Sequence, residues 1–227
     1  MLVSKMVAKK RIPSRINVLV ACEESQRVCS AFRSLGHRAF SADLQKCSGK
    51  HPEWHICGDV RSLFVDSPSF KTMDGKRHHL SRWDLIISHP PCTYLSRVSL
   101  PNMVINGVLQ KDRFRKMVQG RMFFFDCLNA PAKYVVVENP VPMARAQLPK
   151  PTTFIQPYWF GSRWSKKTLL WLKNLPPLMP TCINPNHKQL VYYSRGKYRS
   201  RTDPGVANAM ATQWSAYILD DLRRGGF

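Results

Sequence analysis

The sequence predicts an α/β protein built on a mostly parallel sheet with helices on both faces. Three observations lead there. Short runs made wholly of apolar residues recur along the chain, as strands buried on both faces require. Stretches with apolar residues at helical spacing lie between them. The two kinds alternate, the pattern of strand–helix–strand crossovers.

The elements follow in order. Residues 16–21 (INVLVA) read as a buried strand. Val28, Ala31, Phe32 and Leu35 then share one face of a helix closed by Gly36. Residues 38–43 form a second strand that ends in Asp43, and the polar residues 44–58 lead into Gly58-Asp59-Val60. Residues 85–88 (LIIS) are a further strand, broken by Pro90 and Pro91. Residues 97–115 read as a mobile basic loop, and 117–128 as a helix. The strand 134–137 (YVVV) stops at Glu138-Asn139-Pro140, and 154–160 and 169–172 suit the last strands. Asp203 and Pro204 make an N-cap and first turn for a final helix, on which Val206, Met210, Trp214 and Ile218 recur every four residues. Trp159, Trp164 and Trp171 are expected to pack against the sheet.

With 227 residues, 44% of them hydrophobic, the chain can bury one sizeable core. A single domain over 16–227 is expected, preceded by a flexible basic arm, 1–15, carrying Lys5, Lys9, Lys10, Arg11 and Arg15. The formal charge is +21, an excess that repels itself unless a polyanion screens it, and nucleic acid is the commonest such partner. Residues 185–201 interleave His187, Lys188, Arg195, Lys197, Arg199 and Arg201 with Tyr192, Tyr193 and Tyr198. That pattern suits either a strand-gripping surface or a solvated basic hairpin. No run approaches the ~20 apolar residues of a membrane span, and nothing has the build of a signal peptide. Seven cysteines without a pairing pattern indicate free thiols in a reducing, intracellular setting, a cytoplasm including that of a phage-infected host. Cys22, Cys29, Cys57 and Cys127 read as structural. Cys47, His51, His55 and Cys57, and separately Cys182 and His187, lack paired CxxC spacing, so no metal site is expected. His78 and His79 read as surface residues.

In an open parallel sheet, ligands collect beyond the carboxyl ends of the strands. Four predicted strand ends there carry Glu23 and Glu24, Asp43, Cys92, and Glu138. A carboxylate past the second strand suits a ribose, which assigns Asp43 to a nucleoside cofactor. The chain lacks GxGxxG; after the first strand it reads Cys22-Glu23-Glu24-Ser25-Gln26. A pyrophosphate therefore has no glycine cradle, which favours S-adenosylmethionine over NAD or FAD. The segment 88–96 (SHPPCTYLS) presents Cys92 on a proline-stiffened loop after a buried strand, as a nucleophilic cysteine requires.

These residues carry a resemblance. DLIISHPPCTYLS resembles the proline-cysteine motif of DNA cytosine-5 methyltransferases, YVVVENP their Glu-Asn motif, and Gly58-Asp59-Val60 the motif that holds the adenine. The likeness is nearer to small phage-type cytosine methylases and covers residues 16–178. It implies a Rossmann-like S-adenosylmethionine-dependent methyltransferase fold and methylation of cytosine C5 in DNA. Cys92 would add to C6, Glu138 would bond N3 and N4, and Lys166 would take the place of an arginine on the cytosine carbonyl. Asp43 would take the ribose, Asp59 the adenine amine, and Glu23 or Glu24 the ammonium of the cofactor. Pro91 and Asn208 would also line the cofactor site, Asn208 through the 205–208 segment. Two departures stand out: CEESQ replaces the family's glycine-rich opening, and no large target-recognition region lies between Leu172 and Gly205. The alternatives are modification of a free deoxycytidine nucleotide, and a catalytically degenerate fold that binds DNA or protein.

Overall fold

The computed structural model describes residues 14–189 and 200–225. Most of the basic arm and the tyrosine-rich part of 185–201 lie outside the described residues, and Arg15 is exposed in a bend. The chain opens with β1 (Asn17–Ala21), α1 (Arg27–Ser34), β2 (Arg38–Asp43), β3 (His55–Cys57) and β4 (Leu85–Ser88). It continues through α2 (Lys111–Leu128), β5 (Tyr134–Pro140), β6 (Thr153–Ile155) and β7 (Thr168–Lys173). It closes with α3 (Pro204–Ala209), a π-helical turn over Met210–Trp214, and α4 (Ser215–Arg223).

These seven strands form one sheet in the order β6-β7-β5-β4-β1-β2-β3. The joins from β5 through β4, β1 and β2 to β3 are all parallel. β7 runs antiparallel to both β5 and β6. The fold is thus the expected mostly parallel α/β arrangement with one strand reversed.

Period-two alternation divides the strand residues between two cores. Val18, Val20, Ile87 and Val136 face α1 and the C-terminal helices, with Phe32, Met210, Trp214 and Ile218 among their neighbours. Leu19, Ala21, Ile86 and Val137 face α2, through Met117, Phe124 and Cys127. Helices therefore cover both faces. Trp214 is fully buried, and its indole N–H donates to the Pro176 carbonyl at 3.0 Å, so the largest side chain of the first core leaves no polar group unmet.

Several local expectations are corrected. The polar stretch 44–58 contains the edge strand β3, because His55 is fully buried with both ring nitrogens engaged, Nδ1 by Ser41 Oγ at 2.8 Å and Nε2 by the Gln45 carbonyl at 2.9 Å. The segment 97–115 is not one loop: it holds a 3-10 helix (Arg97–Asn102), a small hairpin (Val104–Ile105 with Val108–Leu109) and the first turns of α2. β5 continues through Glu138 to Pro140, because β7 pairs along its whole end, Leu170 opposite Glu138. Of the 154–160 run only Phe154 and Ile155 are strand, within β6; Pro157 starts a 3-10 turn. Leu35 caps α1 and is 45% exposed instead of buried, Cys57 is exposed, and His78 is half-buried against Phe70 and Phe40. Among the described residues, no helix is long and apolar enough to cross a membrane, and no three His, Cys, Asp or Glu side chains converge as a metal-binding group.

Candidate functional site

The site lies where β1, β4 and β5 end. β4 and β5 are paired up to Ser88 opposite Val137, so the next residues, His89 and Glu138, follow side by side, Glu138 still paired to β7 on its other edge. His89 Nδ1 and Glu138 Oε2 are 2.7 Å apart, and both side chains are nearly buried. Asn139 Nδ2 donates to the Pro90 carbonyl at 2.9 Å. The Met143 amide donates to Leu95 O and the Arg97 amide to Val141 O. The loop bearing Cys92 is therefore stitched to the chain beyond Glu138 at both ends. Within it, the Leu95 and Ser96 amides both donate to the Cys92 carbonyl, which closes a tight turn around a half-buried thiol.

Charge at this edge is set by competition. Burial opposes the Glu138 carboxylate, but the His89 hydrogen bond and charge, with Lys166 behind them, hold its pKa below the ordinary value. Burial likewise opposes imidazolium at His89; the hydrogen bond and charge of Glu138, helped by Glu23 and countered by Lys166, still lift its pKa above the ordinary value. The contact thus favours imidazolium on His89 and carboxylate on Glu138.

Glu138 and Lys166 open onto one cavity of about 260 Å³, whose wall includes Arg27, Arg163, Trp164 and Arg201. Lys166 is placed by the bond from its own amide to Gln156 Oε1 and by the turn into β7, where Thr168 Oγ1 donates to its carbonyl. Neighbouring Lys167 instead lies over the Phe154 ring. Trp164 lines this cavity and is not core, in contrast to Trp171, which is buried on the α2 face. Cys92 is not part of the cavity wall; it sits on the adjoining loop.

The cofactor candidates fare differently. Glu23 is buried beneath α1, accepting from the Val28 and Cys29 amides at 2.6 and 3.1 Å. It does the capping work that Gln26, in the left-handed region, does not. Glu24 is buried with Arg201 3.8 Å away, and its Oε2 has no hydrogen-bond partner among the described residues. Asp43 ends β2 and accepts from the Gln45 amide through Oδ1. Asp59 is gripped by Arg61 in a two-pronged pair and caps the following turn, which holds its pKa low. Asp43 and Asp59 both act on the half-buried Cys22 thiol, so the two acids share the edge beside β1; burial first, and then Cys127 with these acids, pushes that thiol up. Pro91 is exposed. Asn208 is exposed on α3 and does not line the cavity, whereas Val206 and Met210 of the same helical run do. The helical period turns Asn208 outward.

His89, Arg27 and Arg163 belong to the site although none was singled out from the sequence, whereas Arg201 was named there only as part of the basic 185–201 segment. His89 had a signal, a histidine directly between a buried strand and two prolines. Arg27 and Arg163 had none, because they come from distant segments.

No protein-family model matches the chain, and no curated protein matches it. Among solved structures, it is similar to an E. coli prophage-encoded protein assigned as a DNA modification methyltransferase. Identity is 13% and the TM-score 0.42; the match covers 80% of this chain and 56% of that one, so this chain spans little more than half of its length.

Proposed function

We propose that this chain methylates cytosine at C5 in DNA, with Cys92 as nucleophile, Glu138 on the pyrimidine edge and S-adenosylmethionine as methyl donor. The observation that carries it is the stitching of the Cys92 loop to the end of β5. The Asn139–Pro90 bond holds the proline turn against the residue that follows Glu138. A thiol and a buried carboxylate on adjacent strand ends suit the two demands of the chemistry. One group must attack C6, and another must draw charge into the ring as it does so. The positive charge of the chain favours a polyanionic substrate.

The donor set fits the proposed cofactor in part. Glu24 offers a buried, unpartnered oxygen to an ammonium, and Asp43 a carboxylate to ribose hydroxyls. Bound there, S-adenosylmethionine supplies an electrophilic methyl group. Glu23 is already committed to α1, and Asp59 would have to exchange Arg61 for an adenine amine. In the proposed reaction the Cys92 thiolate forms a bond to C6, Glu138 protonates N3, and C5 takes up the methyl group. Loss of the C5 proton to a solvent base, departure of Cys92 and return of the N3 proton to Glu138 then restore the ring. Lys166, on the same cavity as Glu138, holds the carbonyl oxygen as negative charge grows on it.

Cys92→Ala should abolish methyl transfer and leave folding intact. Glu138→Gln should slow transfer by roughly 10² or more, the range for losing a positioned acid. Trapping on DNA containing 5-fluorocytosine reads both: a covalent adduct with the wild type and none with Cys92→Ala. Full activity in either variant would sink the assignment.

One observation favours a second substrate. The basic wall of the cavity beside Glu138, with Arg27, Arg163 and Arg201, suits the phosphate of a free deoxycytidine nucleotide. Methyl transfer to dCMP, compared with a duplex oligonucleotide at equal cytosine, separates the two. Failure to bind labelled S-adenosylmethionine would instead favour a non-enzymatic binding protein.

A further inference from the structure

We propose that His89 is a positioning residue that stores the proton Glu138 delivers to the pyrimidine, an inference that rests on the cytosine reading above. Protonating N3 as the thiolate adds to C6 requires a carboxylic acid at Glu138. The contact with His89 favours Glu138 as a carboxylate, which accepts bonds and has no proton to give. The missing proton is one hydrogen bond away, on His89 Nδ1, 2.7 Å from Glu138 Oε2.

The placement is specific. His89 and Glu138 are the first residues beyond the paired ends of β4 and β5, so the sheet register itself sets the contact. The His89 amide donates to the Ala21 carbonyl at 2.9 Å, which fixes the ring's backbone to β1 as well. Its Nε2 is buried and has no hydrogen-bond partner among the described residues, so among them the ring is anchored through its Glu138 bond. The charged groups acting on the ring are Glu138 from β5, Glu23 from the turn after β1, and Lys166 ahead of β7. The two acids favour imidazolium and the lysine disfavours it.

The proton count closes. As the Cys92 sulfur bonds to C6, N3 takes the proton from Glu138, and His89 Nδ1 passes its own to Glu138. Neutral His89 and ionised Glu138 remain. When C5 gives up its proton to a solvent base and the C6–S bond breaks to return the thiolate, N3 returns its proton by the same path and the imidazolium is restored. The methyl donor and a solvent base are the other reactants, and the C5 proton is the one net proton released.

The test compares wild type, His89→Asn and His89→Ala for methyl transfer across pH and for adduct formation on 5-fluorocytosine DNA. Asparagine can keep a donor toward Glu138 and cannot titrate. The imidazolium is lost as pH rises through its elevated pKa, so the wild-type rate should fall on the alkaline side. His89→Asn should lack that limb and turn over roughly 100-fold more slowly, with unchanged DNA affinity. Added imidazole should partly restore His89→Ala. A wild-type rate and pH profile in His89→Asn would overturn the proposal. If the variants fail to fold, nitrogen-15 spectra of the wild-type histidines decide: a charged His89 ring at neutral pH supports it, and a neutral ring overturns it. No adduct with the wild type would sink the cytosine reading itself, an outcome distinct from any change confined to the variants.

Discussion

The Glu23 carboxylate sits beneath the first turn of α1, where two amides donate to it, yet burial wins and raises its pKa from 4.5 to about 7. A folded pKa raised this way adds stability at low pH, and that contribution is lost as pH climbs from about 4.5 to about 7. Relative to Glu23→Gln, which cannot titrate, the wild-type unfolding midpoint should therefore fall across that interval; a constant difference would refute the assignment. The His89–Glu138 pair has the opposite carboxylate sign. Its contribution from Glu138 is lost as pH falls through the depressed carboxyl pKa, and that from His89 as pH rises through the elevated imidazole pKa. Cys127 shows the bland fate of most thiols: burial pushes it up to about 12, so it stays protonated beneath the sheet.

At the level of elements, the C-terminal helical run is held by one close approach. A methyl group added at Gly205 would lie 2.0 Å from the Phe160 carbonyl oxygen, so only glycine lets α3 dock there. Gly205→Ala should lower the thermal unfolding midpoint, whereas Gly58→Ala, whose added methyl meets nothing within 4 Å, should not. Equal effects would show that the contact is unimportant. Farther along the same run, Trp214→Ala should cost about 3–5 kcal/mol in denaturant unfolding, from cavity formation in the core beneath β1, β4 and β5. α2 has a different task. Leu95 of the Cys92 loop sits over Gly120, and Arg113 and Lys116 lie over the Tyr94 ring. The helix thus supports the loop from below while presenting cations beside it.

For the molecule as a whole, the charge of +21 predicts how binding responds to salt. Duplex DNA affinity should fall linearly on a log–log plot against salt concentration, through counterion release. Lys116 is exposed beside the Cys92 loop. Lys116→Ala should reduce that slope by about 1 without changing sequence preference, and an unchanged slope would place the DNA elsewhere.

The α/β class, β2 to the residue, β4 and the two core-forming helices were legible in the sequence, because apolar periodicity is a local property that burial enforces. Cys92 and Glu138 were readable as residues just past strand ends, since buried parallel strands deliver their following residues to the same end of a sheet; Lys166, ahead of the reversed β7, rested on the resemblance alone. Reversal of β7 and the extension of β5 past Glu138 were not legible, because strand pairing is decided between segments about thirty residues apart. Nor could local pattern foresee that Glu23 caps a helix or that Asp59 pairs with Arg61, although the four-residue period of Val206 and Met210 already turned Asn208 outward. Polar side chains take whichever partner the folded chain brings near. The same rule put His89 against Glu138: forty-nine positions separate them in sequence, and only the register of β4 on β5 makes them neighbours.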